Sequence, residues 1–401
     1  MNNSQLPPAI AQGFLEDPTD LSHLKLIDPE KVKAFVHALN NTQNQNLGDR
    51  KLVAAIGTGG TISMKTENGV SVPDLDFDTI LSRINANVSS RFKIISLDAF
   101  LIDSSQMTYA HVRDLAITLC YCWKHVKPSL LGFIILHGTD TLPYASSALS
   151  LMMGQGLPFS VIYTAAQKSI QKPMTDAGTN LRNTLYTLES LHKHDMAEIV
   201  TVMGNRAHLS TSAVKTEDRL ADAFDSPLHK FITTFSTLAY PIELPAWLNP
   251  KRPVPFAPTI WNGDYGHTLI IQSHMGINPH IFAEQIDSPH IRAVLFFSYG
   301  AGTVEEAMAD IVIKSAKQKN CPVFIVSPIN ARYKIIYKSA QNIINKGAIP
   351  LYMTLPAALA KIEIALRQSP NDIQDISRFM TSNYVGEIPD ENSHFKALYK
   401  R

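Results

Sequence analysis

The sequence has little of several features that mark whole classes of protein. It contains three cysteines in 401 residues, too few for a disulfide framework. Cys120 and Cys122, two apart in a predicted helix, point to different faces and make a poor metal pair. No HExxH motif and no Cys/His cluster with zinc spacing occurs, and the phosphate-loop and dinucleotide-binding glycine patterns are missing. We therefore expect no metal and no other cofactor.

Neither sign of charge is in excess, since 36 Lys and Arg residues face 35 Asp and Glu residues and the formal net charge is +1. Nucleic acids and anionic membranes bind clustered positive charge, so we expect neither as a partner. No run of 18 apolar residues free of charge occurs, and the first lysine or arginine is Lys25. We therefore expect neither a transmembrane span nor a secretory signal, and we predict a cytoplasmic protein.

What is present is enough apolar material, 45% of the residues, for two domains with their own cores. Residues 1–50 are predicted to be an arm and linker, residues 51–245 a larger domain, residues 246–266 a proline-rich linker and residues 267–401 a smaller domain. Short apolar strands alternate with amphipathic helices in both domains. The predicted fold class is α/β, with a larger N-terminal parallel-sheet domain of flavodoxin-like or Rossmann-like type and a second, smaller α/β domain.

The pattern of apolar residues places the main elements. The predicted strands are Leu52–Ile56, Phe133–Leu136, Ser160–Thr164, Ile199–Met203, Leu269–Gln272, Ala293–Phe297 and Val323–Ser327. The predicted helices are Pro29–Leu39 capped by Asp28, a helix after Met107, one opening with Pro143, and Val304–Lys317, Tyr337–Asn345 and Pro356–Leu366.

Two turns rich in glycine and threonine follow predicted parallel strands. The first is Gly57–Ile62 and the second is His137–Thr141. Open α/β sheets place their ligands at the carboxyl ends of strands, so both turns can face one crevice. Each also has a purely structural interpretation: the first as a tight strand-to-helix turn, and the second as a helix cap made by Asp140 or Thr141.

Two further features lie where they could serve those turns. Lys215 could relay the proton of a threonine hydroxyl if a carboxylate holds it, and Thr139 with Asp140 would complete such a relay; alternatively Lys215 is a solvated surface charge. Asp103-Ser104-Ser105 precedes a helix, where hydroxyls and free N–H groups suit a carboxylate ligand. A plain serine N-cap explains that segment equally well.

The combination of these blocks resembles the bacterial-type L-asparaginases, in particular the cytoplasmic type I branch. The resemblance covers about Lys51 to Leu366. It rests on the order and separation of the blocks Gly57–Ile62, Ile102–Ser105, Gly132–Thr141, Lys215–Pro227 and Met353–Leu359.

The resemblance implies hydrolysis of L-asparagine to L-aspartate and ammonia through a threonine acyl-enzyme. It implies Thr61 as the nucleophile, and Thr139, Asp140 and Lys215 as a second, proton-transferring group. The residues that it implies for substrate binding are Gly60, Asp103, Ser104, Ser105, Gly138, Ala165 and Thr303. Backbone N–H groups near Gly60 and Ala165–Ala166 are the expected oxyanion donors. The expected partners are a small-molecule substrate, asparagine or glutamine, and further copies of the chain in a homodimer or a dimer of dimers.

Two positions depart from the family pattern. The loop after Gly57–Ile62 normally carries a tyrosine that activates the first threonine; Val70 stands at the matching position, and no tyrosine occurs between Thr61 and Gln106. Thr303 stands where the family usually has an asparagine that reaches the neighbouring subunit's site. Two alternatives stay open: the amidase subunit of a tRNA-dependent amidotransferase, which shares this catalytic domain and carries an N-terminal addition, and a non-catalytic asparagine-binding regulator, which Val70 favours.

Overall fold

The structure is a computed structural model. It describes residues 13–67, 70–73, 79–80, 90–126, 129–228, 231–235, 242–245, 247–248, 254–300, 302–328 and 337–389, and of residues 64–67 and 70–73 it describes the backbone alone.

The described chain folds into two compact units. The larger takes residues 17–226 and 231–260, and the smaller takes residues 13–16, 227–228 and 261–389. The chain passes into the smaller unit between Ile260 and Trp261, inside the range 246–266 that the sequence predicts as a linker. Pro250 and Pro253 of that linker lie outside the described residues.

Helices and strands alternate through both units. The helices of the described residues are α1 (Pro29–Gln43), α2 (Tyr109–His125), α3 (Leu142–Met153), α4 (Ala177–Lys193), α5 (Pro279–Ile286), α6 (Glu306–Gln318), α7 (Lys338–Asn345), α8 (Leu355–Gln368) and α9 (Ile373–Thr381). The strands are β1 (Lys51–Gly59), β2 (Met64–Glu67), β3 (Val70–Pro73), β4 (Phe92–Ile102), β5 (Leu130–Leu136), β6 (Val161–Thr164), β7 (Ile199–Met203), β8 (Arg206–Leu209), β9 (Val214–Lys215), β10 (Phe224–Asp225), β11 (Thr233–Thr234), β12 (Thr268–Gln272), β13 (Ala293–Phe297), β14 (Val323–Val326) and β15 (Ile349–Leu351). None of these helices is long and apolar enough to cross a membrane.

The larger unit is built on a seven-stranded sheet with the order β11-β8-β7-β6-β5-β1-β4. Strands β4, β1, β5, β6 and β7 run parallel, whereas β8 and β11 are antiparallel additions at one edge. The carboxyl ends of β4, β1, β5 and β6 therefore lie side by side at one end of the sheet. The predicted α/β class with a larger parallel-sheet domain is confirmed.

Helices cover both faces of this sheet. The leucines at positions 181, 185, 188 and 191 of α4 recur at helical spacing and are buried in one core with Val200 and Val202 of β7. Thr201 lies between those two valines and points to the opposite face, where its hydroxyl lies 3.4 Å from Ser146 Oγ of α3.

The smaller unit repeats this arrangement around the parallel sheet β12-β13-β14-β15. Val294 and Phe296 are buried with residues of α6 on one face. Ala293 and Leu295, which alternate with them, are buried with residues of α8 and α9 on the other. This region is the predicted second α/β fold.

The first 50 residues differ from the predicted arm, because residues 17–50 belong to the larger unit. Helix α1 is capped by Asp28, as the sequence predicts, and buries Val32, Phe35 and Leu39. The segment before it is held by Asp114 of α2, whose Oδ2 accepts the N–H groups of residues 25, 26 and 27 at 2.9, 2.6 and 3.1 Å. Apolar burial and these bonds together attach the segment to the sheet domain.

Candidate active site

Strand β1 ends at Gly59 and is followed by Gly60, and at both positions only glycine fits. Gly59 and Gly60 have φ angles of +92° and +77°, in a region that residues with side chains rarely adopt. A Cβ on Gly60 would lie 2.3 Å from the amide nitrogen of Gly138, and one on Gly59 would lie 2.3 Å from the carbonyl oxygen of Ile102. The chain thus passes directly against both neighbouring turns before it reaches Thr61.

Thr61 is partly exposed and opens a single 3₁₀ turn, Thr61–Ser63. The Gly60 carbonyl accepts the N–H and the hydroxyl of Ser63 at 3.0 and 2.9 Å, which fixes the turn from inside. The Gly60 N–H donates to the Ile102 carbonyl at 3.0 Å. The Gly60 N–H is therefore engaged within the loop itself, and an oxyanion donor near Gly60 stays a prediction.

The turn after β4 holds Asp103, Ser104 and Ser105. Asp103, rather than a serine, is the N-cap of the short helix that follows, and its carboxylate accepts the Ser105 N–H at 2.8 Å. Ser104 is buried, whereas Asp103 and Ser105 are exposed. The Ser104 carbonyl accepts the hydroxyl of Thr141 at 2.7 Å, so the turn after β4 is tied to the turn after β5.

The turn after β5 begins with a fully buried histidine. Nδ1 of His137 lies 2.7 Å from the Gly138 carbonyl and donates to it, which holds the backbone in front of Thr139. Burial lowers the pKa of His137 to about 4, so the imidazole is neutral at pH 7. Thr141 occupies the N-cap position of α3, but it makes no side-chain cap because its hydroxyl binds Ser104. The helix cap proposed as an alternative for this turn is therefore absent at Thr141.

Lys215 of β9 reaches the turn after β5 from a distant part of the chain. Its Nζ donates to Thr139 Oγ1 at 3.0 Å and to Asp140 Oδ1 at 2.6 Å. Asp218 forms a third contact, with Oδ1 at 2.5 Å from the same nitrogen. The Lys215 side chain is 18% exposed, so it is not the solvated surface charge that the sequence left open.

The charge on Lys215 results from two opposed effects. Burial disfavours the ammonium form, but the carboxylates of Asp140 and Asp218 outweigh it, and the pKa of Lys215 is raised above its ordinary value. The hydrogen bond and charge of Lys215 in turn lower the pKa of Asp218. The resting cluster therefore contains an ammonium that donates to the Thr139 hydroxyl.

Ala165 is buried directly after β6, the strand next to β5, and its carbonyl accepts Nδ2 of Asn180 at 2.9 Å. The loop beyond it is fixed by Asp176, whose carboxylate accepts the N–H groups of Gln167 and Lys168 at 2.9 and 3.0 Å. The carboxyl end of β6 is thus a rigid neighbour of the turn after β5.

Two further sequence expectations concern Thr303 and Val70. Thr303 is in the smaller unit, in a tight turn after β13 where its carbonyl accepts the Tyr299 N–H at 3.0 Å. Its predicted reach into a partner subunit stays a prediction. The backbone of Val70 pairs with Glu67 in the β2–β3 hairpin, and its side chain lies outside what the structure describes.

The turns after β4, β1 and β5 therefore meet at one edge of the sheet. The Cα of Gly60 lies against Gly138, so the turns after β1 and β5 are in direct contact. Thr61 and Thr139 are the residues that directly follow these two glycines. Three residues of the cluster were not predicted in these roles: Thr141, which ties two turns together, Gln167 of the loop after β6, and Asp218. The signal for Asp218 is only its position three residues after Lys215.

The fold and the site define an α/β protein with a threonine, lysine and aspartate cluster at the carboxyl ends of its parallel strands. Residues 52–244 match the family model of the asparaginase N-terminal domain. An L-asparaginase from Dirofilaria immitis is 23% identical over 374 residues, covering 84% of this chain. The chain spans about 60% of that relative's length.

Two further comparisons cover most of both proteins. A glutamyl-tRNA(Gln) amidotransferase subunit from Pyrococcus horikoshii is 26% identical, with 92% of this chain and 83% of the relative covered. The crystal structure of L-asparaginase I from Vibrio cholerae superimposes with a TM-score of 0.71 at 25% identity, covering 84% of this chain and 99% of the other. Residues 52–244 of the chain are thus similar to the asparaginase N-terminal domain, and most of the chain is similar to L-asparaginases and to an amidotransferase subunit.

Proposed function

We propose that this protein is an L-asparaginase, which hydrolyses L-asparagine to L-aspartate and ammonia through a threonine acyl-enzyme. The observation that carries the proposal is the cluster in which Lys215 Nζ lies 3.0 Å from Thr139 Oγ1 and 2.6 Å from Asp140 Oδ1. A hydroxyl is a weak nucleophile and a poor acid, and it needs a positioned partner to exchange protons near neutral pH. A protein that only binds asparagine has no use for such a relay.

In the first step Thr61 Oγ attacks the side-chain amide carbon of asparagine. The threonine proton passes to the amide nitrogen, the C–N bond breaks, and ammonia leaves from a β-aspartyl ester on Thr61. The partly exposed position of Thr61, on a turn fixed by Gly60 and Ser63, supports this role. Fixing the nucleophile beforehand removes an entropic cost from the barrier.

In the second step water replaces the enzyme oxygen. Thr139 accepts a proton from the attacking water while its own proton passes to a neutral Lys215. The ester C–O bond then breaks as a proton returns from the Lys215 ammonium through Thr139 to the leaving Thr61 oxygen. Asp140 holds Lys215 on Thr139 and stabilises the ammonium as it forms. The relay resets when Lys215 loses that proton.

The substrate's amino-acid end would bind beside this cluster. Ser104, Ser105 and Asp103 follow β4 at the adjoining strand end, and we assign them to the α-carboxylate side of the substrate, with Asp140 meeting the α-ammonium. The exposed position of Ser105 and the bond that orients it from Asp103 support this assignment. Gly138 and Ala165 line the same edge of the sheet.

Ammonia release by the purified full chain tests the proposal. We expect release from L-asparagine, with L-glutamine measured in parallel. Thr61→Ala and Thr139→Val should each lower it by about a hundredfold or more, because each removes a positioned reacting group. Mass spectrometry of an acid-quenched reaction should find the aspartyl ester on the peptide that contains Thr61.

The matched control is Thr19→Val, which removes a threonine hydroxyl that binds Asp17 in the same unit. It should leave ammonia release unchanged. A purified protein without activity on either amide, or full activity in Thr61→Ala, would overturn the proposal. An ester found on Thr139 instead would reverse the two threonine roles.

The second candidate function is the amidase subunit of a tRNA-dependent amidotransferase, which the Pyrococcus horikoshii relative favours. In that case ammonia release from glutamine should depend on an added partner subunit and charged tRNA. Release from asparagine by the isolated chain decides for the asparaginase. A regulator that binds asparagine would return it unhydrolysed in calorimetry.

We also propose that the protein is cytoplasmic and assembles as a homodimer or a dimer of dimers, with Thr303 reaching toward a partner's site. The three cysteines, all buried and unpaired, support a reducing compartment. Light scattering of the purified chain measures its oligomeric mass.

A further inference from the structure

Lys215 binds a carboxylate that belongs to none of the three turns, after β1, β4 and β5, that form the site. An ammonium has three N–H donors, and here they face Thr139, Asp140 and Asp218 at 3.0, 2.6 and 2.5 Å. Asp218 comes from the segment between β9 and β10, and its side chain is 81% exposed. Each of the three N–H donors of the ammonium thus has a partner, and one of these partners, Asp218, is exposed to solvent.

The segment that carries Asp218 is held in place along its length. The Ala223 carbonyl accepts the N–H groups of Thr216 and Glu217 at 2.9 and 3.3 Å, which closes the turn. The Glu217 carboxylate accepts the N–H of Asp218 at 2.8 Å. Gln167 Nε2, from the loop after β6, donates to the Leu220 carbonyl at 3.2 Å. Asp218 therefore reaches Lys215 from a built turn.

The other charged groups near Lys215 are occupied elsewhere. Glu217 faces backbone N–H groups of its own turn. Asp225 of β10, the strand paired with β9, lies 3.6 Å from Arg206. The balance between the ammonium and the neutral form of Lys215 therefore depends on two carboxylates, Asp140 from the turn after β5 and Asp218 from the turn after β9.

The two carboxylates have different positions relative to the reaction. Asp140 also neighbours Thr139 in sequence and is assigned to the substrate's ammonium, whereas Asp218 contacts Lys215 alone among the atoms of the proposed relay. Both favour the ammonium over the neutral amine, and this preference lowers the fraction of neutral Lys215 that is ready to accept a proton from Thr139.

We propose that Asp218 is a positioning residue that holds the Lys215 ammonium on Thr139 and raises the pH at which the relay begins to operate. This inference rests on the proposed function for its catalytic consequence, while the ion pair itself is independent of it.

The neutral fraction of Lys215 tests the ion pair without any substrate. Trace labelling with acetic anhydride between pH 8.5 and 10, quantified by mass spectrometry against Lys193 of the same chain, measures that fraction. Asp218→Asn keeps the shape of the side chain and removes its charge. We expect the labelling of Lys215 to rise about threefold, which means that the midpoint of its titration moves about half a pH unit lower. Asp218→Glu should restore the slow labelling.

The matched control is Asp222→Asn, in the same turn. Asp222 Oδ1 accepts the Asn205 N–H at 2.5 Å, and an asparagine oxygen retains that bond while one charge is lost. Lys215 labelling should stay as in the unmodified chain. Equal labelling of Lys215 in Asp218→Asn and in the unmodified chain would overturn the proposal.

The pH profile of ammonia release tests the catalytic consequence. In Asp218→Asn the acidic limb of kcat should move about half a pH unit lower, with KM nearly unchanged. A change in KM alone would make Asp218 a substrate contact and contradict the inference. If the unmodified chain releases no ammonia at any pH, the proposed function fails, whereas the labelling still decides whether Asp218 controls Lys215.

Discussion

Gly138 and Ser104 touch at a position where only a hydrogen atom fits between their turns. A Cβ on Gly138 would lie 2.4 Å from Ser104 Oγ and 2.5 Å from Ser104 Cβ. These contacts involve the serine side chain rather than backbone, so the two positions can be changed together. The pair therefore offers a direct test of whether the turns after β4 and β5 act as one unit.

We predict that Gly138→Ala destabilises the larger unit by about 1–3 kcal/mol, because overpacking forces the two turns apart. In a Ser104→Gly background the same substitution should cost about 1 kcal/mol less, since the clashing atoms are gone. Urea unfolding of the four proteins of this cycle measures the coupling free energy.

The control for this cycle is Gly178→Ala in helix α4. A Cβ on Gly178 meets no atom within 4 Å, and alanine favours the helix, so we expect a gain of about 0.5–1 kcal/mol. A strictly additive cycle at positions 104 and 138 would contradict the contact.

Two buried histidines predict how stability depends on pH. Burial lowers the pKa of His137 to about 4, and burial with the charge of Arg206 lowers that of His208 to about 3. Between pH 6.5 and 4 the unfolded chain binds protons at these positions that the folded chain does not. The free energy of unfolding should therefore fall as the pH is lowered through this window, by about 3 kcal/mol for His137 when the window is crossed.

Urea unfolding at pH 7.5, 6 and 5 measures this dependence. His208→Asn removes one of the two groups and should make the loss of stability with falling pH visibly smaller. His280→Asn replaces an exposed imidazole of the smaller unit and should leave the dependence as it is. The same slope in His208→Asn and the unmodified chain would refute the assignment.

The smaller unit contains a fully buried ion pair between Lys361 of α8 and Glu387, whose Nζ and Oε1 atoms lie 2.5 Å apart. Glu387 also accepts the N–H groups of Tyr384 and Val385 at 3.0 and 2.8 Å. Glu387→Gln leaves the Lys361 ammonium without its counter-charge, and we expect a loss of about 3–5 kcal/mol.

Calorimetry of the thermal transition measures that loss. Replacing both partners, as Lys361→Met with Glu387→Leu, should cost less than Glu387→Gln alone, because no charge is then left buried. Asp310→Asn breaks the exposed pair with Lys346 in the same unit and should change stability by less than about 1 kcal/mol. A small effect of Glu387→Gln would show that water reaches this pair.

The strands predicted from the sequence are those with continuous apolar runs. Strands such as β5 and β7 are buried along almost their whole length, and a run of apolar residues marks them directly. Strand β8 (Arg206–Leu209) was not predicted, because it is short and combines polar with apolar residues. It is defined by its antiparallel pairing with β7 after the turn at Gly204. Helix α4 was also not predicted, although its leucines recur at helical spacing.

The candidate site also contains some residues that the sequence predicted and others that it did not. Glycine and threonine at strand ends predicted which turns would matter, because the carboxyl ends of parallel strands share one edge. The bond between Lys215 and Thr139 spans 76 residues, so the residues alone offered it only as one of two interpretations of Lys215, and the family resemblance favoured it. Asp218 could not be predicted, since its contact depends on how the turn after β9 folds. The same limit applies to the Gly60 N–H, whose partner Ile102 is set by the register of β1 against β4.

Because of the contacts of the Asp114 carboxylate, the start of the homologous region is a poor place to begin an expression fragment. The family match begins at residue 52, yet the three N–H groups that satisfy this carboxylate belong to residues 25–27. An expression fragment trimmed to the match would carry a buried negative charge with its backbone donors removed. The region of sequence similarity and the minimal folding unit therefore begin at different residues in this protein.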